Sequence, residues 1–255
     1  RQTGRAYQAA DAYHHPRTAH SDAPLKTAYR GEPWLDFTLL QGGHEPVIDR
    51  DGYHDLWFEE RPPLPQIEGE ANYEQLFDRS DPGHPAPVSA DQMREKAWQA
   101  MCCGCAGYTY GANGVWQAVA SPNDSDLHKV YGRTPWRTGI ALPGAGQLGH
   151  WKRFWSAVPW HHMEPRPECD GLAVWPSTLP PGRRPLLCAD PERNTVVVYQ
   201  LAGSPCAGTL RHLPAPAYRA SWFDPRTGKS TSLGAVRPRG GAWACPAPPD
   251  DRDWA

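Results

Sequence analysis

Two carboxylates separated by one glycine are the clearest chemical signal in this sequence. Glu68 and Glu70 lie at the end of a predicted strand over residues 64–70, so both side chains are expected on the same side. A carboxylate held at a strand end can act as a nucleophile or general base in glycosidic bond cleavage, because an oxocarbenium-like centre needs negative charge beside it. The local sequence also allows both carboxylates to be solvated or paired with arginine.

Polar side chains also mark the end of a second predicted strand, over residues 34–40. Asp36 falls inside this strand, and Gln41 and His44 follow it. The two glycines between Gln41 and His44 would let the backbone approach a ligand closely. Such donors and acceptors suit the hydroxyl groups of a ligand, although a lone histidine is more often a structural group with satisfied hydrogen bonds.

A third predicted strand, over residues 107–111, ends among aromatic side chains. Tyr108, Tyr110, Asn113 and Trp116 lie on or just after it. The rings offer flat faces that could stack on sugar rings, and the amide offers hydrogen bonds. The same aromatic residues would be equally expected in a protein core.

The composition restricts the classes of partner. The 29 prolines and 24 glycines favour many turns and irregular connections over long helices. The 26 basic and 28 acidic residues leave a net charge of -2, so neither nucleic acid nor a membrane is an expected partner. No apolar run reaches transmembrane length and no charged-then-apolar leader follows Arg1, so the expectation is a soluble chain without a secretory signal.

The cysteines and the glycine-rich motif point to no cofactor. The seven cysteines are irregularly spaced, and the CxxC motif at residues 102–105 lacks a second pair at zinc-site distance, so its cysteines are expected in a packed core. Residues 144–149 match GxGxxG, but no convincing strand precedes them, which argues against a dinucleotide site. The sequence therefore predicts neither a metal site nor an organic cofactor.

The first 164 residues alternate predicted helices and strands, which is the pattern of a parallel α/β arrangement. A complete (β/α)8 barrel takes about 250 residues, so roughly half of a barrel is not accounted for. Either this is a smaller α/β domain, or the chain begins partway round a barrel. Helices are predicted over residues 1–14, 90–103 and 145–157 and a short strand over 17–20, whereas 45–62 are interpreted as irregular.

Residues 165–255 are predicted to form a separate domain. Six prolines between residues 165 and 185 indicate a linker or an irregular domain entry, which places the boundary after residue 164. Beyond it, short strands recur without helices between them, which is typical of a small antiparallel β-sandwich. These strands are predicted over residues 186–188, 195–199, 218–223 and 242–245.

In combination, these motifs resemble the apiosidase-like glycoside hydrolases. The resemblance covers nearly the whole chain, from about residue 10 to the end, and the order and spacing of the motifs also match the family. It rests on Trp-Leu-Asp-Phe at 34–37, Gln-Gly-Gly-His at 41–44, Ile-Glu-Gly-Glu at 67–70, Asn-Tyr-Glu at 72–74, Gly-Tyr-Thr-Tyr-Gly at 107–111, Gly-Val-Trp at 114–116, Pro-Gly-Ala at 143–145 and Trp-Phe-Asp-Pro-Arg-Thr-Gly at 222–228.

The resemblance implies a (β/α)8 barrel followed by a β-sandwich, with this chain entering the barrel before its fifth strand. The expected fold is α/β plus β. Residues 1–164 would be the C-terminal half of a TIM-type barrel, about strands five to eight, and residues 165–255 the sandwich, often labelled collagen-binding. Glu70 matches the family's catalytic nucleophile, whereas the family's acid/base aspartate belongs to the fourth strand and is not in this chain. Position 71 is alanine where the family frequently has proline.

The implied activity is retaining hydrolysis of side-chain glycosidic bonds in plant pectic polysaccharide, with apiose-containing pectin as the substrate class and no cofactor. The partner would be an oligo- or polysaccharide, the 255 residues alone would have little or no activity, and the family implies a secreted or periplasmic protein. The alternative is a non-catalytic carbohydrate- or protein-binding module. The expected substrate-binding residues beside Glu70 are Asp36, Gln41, His44, Glu68, Tyr73, Tyr110, Asn113 and Trp116.

Overall fold

The computed structural model of this protein divides into two compact units. The first comprises Arg1–Ser89 with Cys105–Ala141, and the second comprises Ala90–Gly104 with Leu142–Ala255. The first unit holds parallel strands, and the second holds antiparallel sheets. The residues that the structure describes are 2–20, 29, 31–42, 50–59, 64–76, 87–121, 134–167 and 170–255.

The helices follow the apolar spacing of the sequence. The predictions over residues 90–103 and 145–157 are confirmed, and the first helix is shorter than predicted because it ends at Ala10. Pro143 occupies the first turn of its helix, where a missing N–H costs nothing. Within the described ranges the helices are α1 (Gln2–Ala10), α2 (Arg50–Glu59), α3 (Ala90–Cys102), α4 (Trp136–Gly139) and α5 (Pro143–Ser156), with 3₁₀ turns at Trp160–His162 and Pro181–Arg183.

The first unit is organised around a three-stranded parallel sheet in the order β1-β2-β4, next to a parallel pair formed by β3 and β5. The register places Leu40 opposite Glu68, and Glu68 opposite Tyr108. Since the strands run the same way, the residues that follow them meet at one edge of the sheet. The strands are β1 (Thr38–Leu40), β2 (Gln66–Glu68), β3 (Tyr73–Glu74), β4 (Cys105–Tyr108) and β5 (Gly111–Ala112).

One face of this parallel sheet carries buried polar side chains. Thr38, Gln66 and Glu68 are all buried, and the strand register places Thr38 opposite Gln66. Paired residues of a parallel sheet project to the same face, so these groups line a single side. Because burying a polar group is unfavourable without partners, this face is where a polar site is expected.

The second unit consists of α3, α5 and antiparallel strands. Trp98 of α3 is fully buried, and its ring lies against Phe154, Trp155 and Tyr199. The sheet orders are β6-β8-β9, β7-β10-β13 and the hairpin β11-β12. The strands are β6 (Glu164–Arg166), β7 (Ala173–Val174), β8 (Leu186–Ala189), β9 (Val196–Tyr199), β10 (Gly208–Leu210), β11 (Tyr218–Asp224), β12 (Lys229–Val236) and β13 (Trp243–Cys245).

The antiparallel strands share one apolar core, to which all three groups of strands contribute. Its buried members are Leu172, Trp175, Leu187, Ala189, Cys206, Leu210, Leu213, Trp222, Cys245 and Trp254. The four strands predicted between residues 186 and 245 are all found within two residues of their predicted ends. The predicted domain boundary after residue 164 stays a prediction, and β6 begins at that residue.

Three predictions about the first unit are wrong. Residues 17–20 form no strand, because the Arg17 N–H donates to the Asp36 carboxylate and the Thr18 hydroxyl donates to a main-chain carbonyl. The strand predicted over 34–40 begins only at Thr38, so Asp36 precedes it. Residues 50–59, predicted to be irregular, form α2 despite a glycine in its first turn.

The cysteines of the CxxC motif lie in the core as predicted. Cys102, Cys103 and Cys105 are all buried. Among the described residues, no group of three or more His, Cys, Asp or Glu side chains could hold a metal ion. Over the same ranges, none of the helices has both the length and the apolar character needed to span a membrane.

Replacing Glu95 is expected to change how stability depends on pH. Burial, followed by the charge of Asp253, raises the pKa of Glu95 from 4.5 to about 7, against the opposing charges of Arg94 and Arg183. The folded chain therefore holds the Glu95 proton more tightly than the unfolded chain does. This contribution to stability is complete below pH 4.5 and is lost as the pH rises through 7. Glu95→Gln should therefore make the free energy of unfolding at pH 8 higher by up to about 3 kcal/mol, with little change at pH 4.

Urea unfolding at pH 4, 6 and 8 measures this effect. The exposed Glu192 provides the matched control, since Glu192→Gln removes a carboxylate from solvent. Equal pH profiles for Glu95→Gln and the unmodified chain would show that Glu95 is ionised normally.

Candidate functional site

The Glu68 side chain is fully buried at the carboxyl edge of the parallel sheet. Its exposed fraction is 0%, and Oε1 accepts a hydrogen bond from the Gly42 N–H at 3.0 Å. The Tyr53 hydroxyl, from α2, donates to Oε2. Two donors thus hold a buried carboxylate at the end of β2, which fixes the geometry of this edge.

Gly42 is required by this packing. A Cβ at position 42 would lie 2.8 Å from Glu68 Oε2 and 2.9 Å from the Tyr53 hydroxyl. At Gly42 the structure thus shows a close approach of the backbone to two side chains, and the expectation that these glycines also admit a ligand stays a prediction.

Gly42→Ala is expected to destabilise the fold by about 1–3 kcal/mol, because the added methyl group displaces a buried, hydrogen-bonded carboxylate. The measurement is the free energy of urea unfolding. Gly146→Ala in α5 is the matched control, since no atom lies within 4 Å of its Cβ position and a helical alanine is at least neutral. Equal stability of the two variants would contradict this role of Gly42.

Glu70 differs from Glu68 in being accessible. Its side chain is 25% exposed and lies just beyond β2. The Tyr73 hydroxyl donates to Oε1 at 3.0 Å, and His20 Nε2 lies 2.7 Å from Oε2. Because the strand ends at Glu68, the two glutamates have different environments. Glu68 is enclosed, whereas Glu70 is accessible to solvent and contacts Tyr73 and His20.

Tyr73 is positioned by a close approach to β5. Its ring packs on Gly111, where a Cβ would collide with the ring, and on Trp116 at a centroid distance of 5.7 Å. Burial, followed by the hydrogen bond to and the charge of Glu70, raises the pKa of Tyr73 to about 12. The hydroxyl therefore stays protonated at neutral pH and donates to Glu70. Trp116 is 52% exposed, so its ring is accessible to a ligand.

Two buried polar atoms at the same edge have no hydrogen-bond partner among the residues that the structure describes. Gln41 Oε1 and the Tyr108 hydroxyl oxygen make no hydrogen bond within the described part of the chain. Burial, followed by the charge of Glu68, raises the pKa of Tyr108 above its usual value, so the hydroxyl remains a donor. An unsatisfied buried polar atom is costly, and ligand hydroxyl groups could satisfy both.

Tyr110 and Asn113 are occupied by contacts within the protein. The Tyr110 hydroxyl donates to the buried Glu74 carboxylate at 2.7 Å. Asn113 is fully buried, where its amide nitrogen donates to the Gln75 carbonyl at 2.8 Å and its oxygen accepts from Gln117 at 2.9 Å. Tyr110 therefore bonds to β3, and Asn113 connects the residues that follow β3 and β5.

Asp36 lies at the other end of β1 from Gln41. Its carboxylate accepts from the Arg17 N–H at 2.8 Å and lies 3.2 Å from Arg17 Nε. The structure therefore does not bring Asp36 to the carboxyl edge that holds Glu68 and Glu70. His44 lies outside the described residues.

His20 and Tyr53 were not recognised from the sequence. His20 is about 50 positions from Glu70, and no local pattern connects them. Tyr53 lies in a segment that was interpreted as irregular. Only recognition of helix α2 after the β1 strand would have suggested that Tyr53 faces the sheet.

The chain matches two family models and is similar to several solved structures. Residues 1–162 match "Apiosidase-like, catalytic domain", and residues 183–255 match "Putative collagen-binding domain of a collagenase". A structure titled "Glycoside hydrolase" is 20% identical with a TM-score of 0.69, and the match covers 88% of this chain and 52% of that one. A glycoside hydrolase family 5 structure from Bacteroides vulgatus ATCC 8482 is 17% identical with a TM-score of 0.70, over 89% and 51% of the two chains.

At 20% and 17% identity, the similarity to the solved structures shows the fold alone. The chain spans about half the length of these structures. The comparison with curated proteins gave no match.

Proposed function

This chain belongs to the apiosidase-like family of catalytic domains, and on that premise we propose that it carries the nucleophile half of a retaining glycoside hydrolase site, with Glu70 as the nucleophile. The observation that supports the proposal is the contrast between two neighbouring carboxylates. Glu68 is enclosed, whereas Glu70 is 25% exposed and held by two partners. A nucleophile must be both oriented and accessible, and only Glu70 meets both conditions.

The proposed reaction has two displacement steps. A Glu70 carboxylate oxygen attacks the anomeric carbon, forming a glycosyl ester as the bond to the leaving oxygen breaks. A carboxylic acid gives that oxygen its proton and then, as a carboxylate, removes a proton from the water that hydrolyses the ester. The resemblance assigns this second role to an aspartate outside these 255 residues, so the chain alone is expected to have little activity on natural substrates.

His20 and Tyr73 are proposed to orient the nucleophile. They contact different oxygens of Glu70, at 2.7 Å and 3.0 Å, which restricts rotation of the carboxylate. Gln41 and Tyr108 would hydrogen-bond sugar hydroxyls, and Trp116 would stack on a sugar ring.

The fold that we propose around this site is the later part of a (β/α)8 barrel, followed by a β-sandwich. The parallel order β1-β2-β4, with α2 and α3 in the connections, is what successive βα units produce. Glu70 follows β2 at the carboxyl edge, where barrel enzymes carry their catalytic groups. The substrate class proposed from the family is an apiose-bearing side chain of pectic polysaccharide.

An activated glycoside tests the nucleophile without the second carboxylate. In a 2-fluoro-substituted dinitrophenyl apioside, dinitrophenolate leaves as a stable anion and needs no proton, while fluorine slows hydrolysis of the ester. We expect one glycosyl group per chain, found by mass spectrometry on the peptide that contains Glu70, with an equal amount of dinitrophenolate released. Labelling of another residue would refute the assignment of Glu70.

The same labelling experiment distinguishes between the competing functions. A non-catalytic module would bind pectic oligosaccharide but release no dinitrophenolate and gain no label. The exposed Trp116 ring is the feature that favours such a module. Strong turnover of pectic oligosaccharide by the 255 residues alone would contradict the requirement for a second carboxyl group elsewhere.

Tyr73→Phe is expected to slow labelling of Glu70 about tenfold or more, because a hydrogen bond to a charged group is lost. The measurement is the rate of dinitrophenolate release at neutral pH. Tyr13→Phe is the matched control, since that ring is 84% exposed. An unchanged rate in Tyr73→Phe would show that this hydroxyl does not orient the nucleophile.

A further inference from the structure

The positive charge of the second unit is concentrated in one stretch of sequence. Residues 193–249 contain seven arginine or lysine side chains and one carboxylate, Asp224, within a chain whose net charge is -2. All of these residues lie in the described range 170–255. The charge of the chain is therefore unevenly distributed, with this stretch strongly basic and the remainder acidic.

Five arginines of this stretch lie on segments that meet at one end of the antiparallel strands. Arg193 Nη1 donates to the His212 carbonyl at 2.9 Å, which connects the turn before β9 to the segment after β10. The Leu213 N–H donates to the Gly241 carbonyl at 2.9 Å, which adds the turn between β12 and β13. Arg193 is half-buried and the other four arginines are exposed. We call the five the arginine cluster, which consists of Arg193, Arg211, Arg219, Arg237 and Arg239.

The hairpin β11-β12 holds two members of the arginine cluster on one face. Tyr218 packs against the apolar core, and its register partner Val236 is 7% exposed. Because side chains alternate along a strand, the next residues, Arg219 and Arg237, project from the opposite face. The Tyr218 hydroxyl donates to the Arg193 carbonyl at 2.9 Å, so this end of the hairpin adjoins the turn before β9.

The arginine cluster has no carboxylate partner among the residues that the structure describes. Two carboxylates that lie near it in the chain are held by other groups. Asp190 is buried and accepts from the Asn194 N–H at 3.1 Å, and Asp170 lies 3.9 Å from Arg166 Nη1. Glu192 is exposed on the turn before β9. No ion pair within the described range cancels the charge of the cluster, which is therefore available to an external anion.

The chemistry of the arginine cluster favours a ligand with several carboxylates. A guanidinium group donates two parallel hydrogen bonds to a carboxylate, which an ammonium group cannot do. Since Arg219 lies opposite Ala235, Arg237 is its diagonal neighbour, about 7–8 Å away. A single carboxylate would contact one or two of these exposed groups, whereas a linear polymer with repeated carboxylates gains affinity from several at once.

We propose that the arginine cluster binds a polyuronate, a linear polysaccharide with a carboxylate on each sugar. The choice of polysaccharide rests on the proposed function, because the backbone of a pectic polysaccharide is built of uronic acids and is anionic. Binding the backbone would raise the local concentration of its side chains near the chain. Nucleic acid, another linear polyanion, is disfavoured by the net negative charge of the whole chain.

A fluorescent oligogalacturonate of about ten sugars tests the inference on the full 255-residue chain. The control ligand is the same oligosaccharide with its carboxylates converted to methyl esters, which removes the charge and keeps the sugars. We expect fluorescence anisotropy to show binding that weakens about tenfold or more with the ester. Raising NaCl from about 50 to 200 mM should also weaken binding of the acid about tenfold or more.

Variants locate the binding surface. Arg237→Gln should weaken binding about threefold, and the double variant Arg219→Gln with Arg237→Gln about tenfold or more. Lys229→Gln is the matched control, since it removes one exposed positive charge from the other end of the same hairpin and should have little effect. Glu192→Gln should strengthen binding, because it removes a negative charge from the turn that carries Arg193. If the double variant does not fold, this gain in affinity still decides, since misfolding cannot produce it.

Several results would overturn the inference. They are absence of binding at millimolar oligogalacturonate, equal affinity for the methyl ester, and equal effects of Arg237→Gln and Lys229→Gln. Equal or tighter binding of a single-stranded DNA of about ten nucleotides would replace polyuronate recognition by a general surface for polyanions. Oligogalacturonate binding without labelling of Glu70 would refute the proposed hydrolase and leave this inference, whereas labelling without binding would do the reverse.

Discussion

Glu70→Gln is expected to lower the rate of covalent labelling by the activated apioside by roughly 10⁴-fold or more, since a neutral amide cannot form the glycosyl ester. The substitution keeps the shape of the side chain and its hydrogen bonds with His20 and Tyr73 available. Stability should therefore change little, so the loss of labelling would report chemistry and not folding. The measurement is the release of dinitrophenolate together with mass spectrometry of the labelled peptide.

Glu192→Gln is the matched control for this experiment. It removes one carboxylate from the surface of the second unit, so labelling should proceed at the unmodified rate. Retained labelling in Glu70→Gln would remove Glu70 from the mechanism. Binding of pectic oligosaccharide by Glu70→Gln, measured by calorimetry, would separate a lost reaction from a lost binding site.

Arg94→Met is expected to destabilise the second unit by about 3–5 kcal/mol, because it leaves a buried carboxylate without its main partner. Arg94 is 2% exposed and Asp253 is 0% exposed. Arg94 donates to Asp253 through Nε at 2.8 Å and Nη2 at 2.7 Å. Burial alone would lower the pKa of Arg94, but the hydrogen bonds and charge of Asp253 raise it above its usual value.

The Asp253 carboxylate holds a network that extends beyond this pair. The Tyr199 hydroxyl donates to Oδ2 at 3.0 Å, and Arg226 Nη1 lies 3.5 Å from Oδ1. Arg94 also contacts Gln147 of α5 at 2.6 Å. Helices α3 and α5 are thus tied to the residue before Trp254, which exchanges main-chain hydrogen bonds with Gln200, and loss of Arg94 should loosen this pairing as well.

Urea unfolding followed by tryptophan fluorescence measures the effect of Arg94→Met. Arg252→Met is the matched control, because Arg252 forms a similar pair with Asp250 at 2.6 Å but is 62% exposed, and its loss should have little effect. Adding Asp253→Asn to Arg94→Met should restore part of the stability by removing the unpaired charge. Equal effects of the two arginine substitutions would contradict a buried-charge explanation.

Local patterns were sufficient for helices α3 and α5 and for four of the eight strands of the second unit, whereas β6, β7, β10 and β12 were not predicted. Helix α3 has Ser89 before it and buries Met93, Ala97 and Met101 at helical spacing, and its prediction was accurate to one residue. The strand β9 was equally visible, because three consecutive valines favour an extended chain. In such segments the side chains that determine the element are a few positions apart, so the sequence alone contains the signal.

The candidate site could be predicted only in part. The Glu-Gly-Glu motif and the family resemblance identified Glu68 and Glu70 and placed them at a strand end. The burial of one and the exposure of the other could not be predicted, because Tyr53 closes over Glu68 from a helix that the sequence did not indicate. Nor could the sequence show that both ends of the Asn113 amide make hydrogen bonds within the protein.

The sequence by itself determined the family, the carboxylates that could act and most of the regular elements, because each depends on residue types at short spacing. The tertiary structure alone decided which carboxylate is accessible, that His20 reaches Glu70, and that Trp254 and Ala255 bond to Gln200 and Phe223. These features depend on hydrogen bonds and burial between residues far apart in the chain, and such contacts form only when the chain folds.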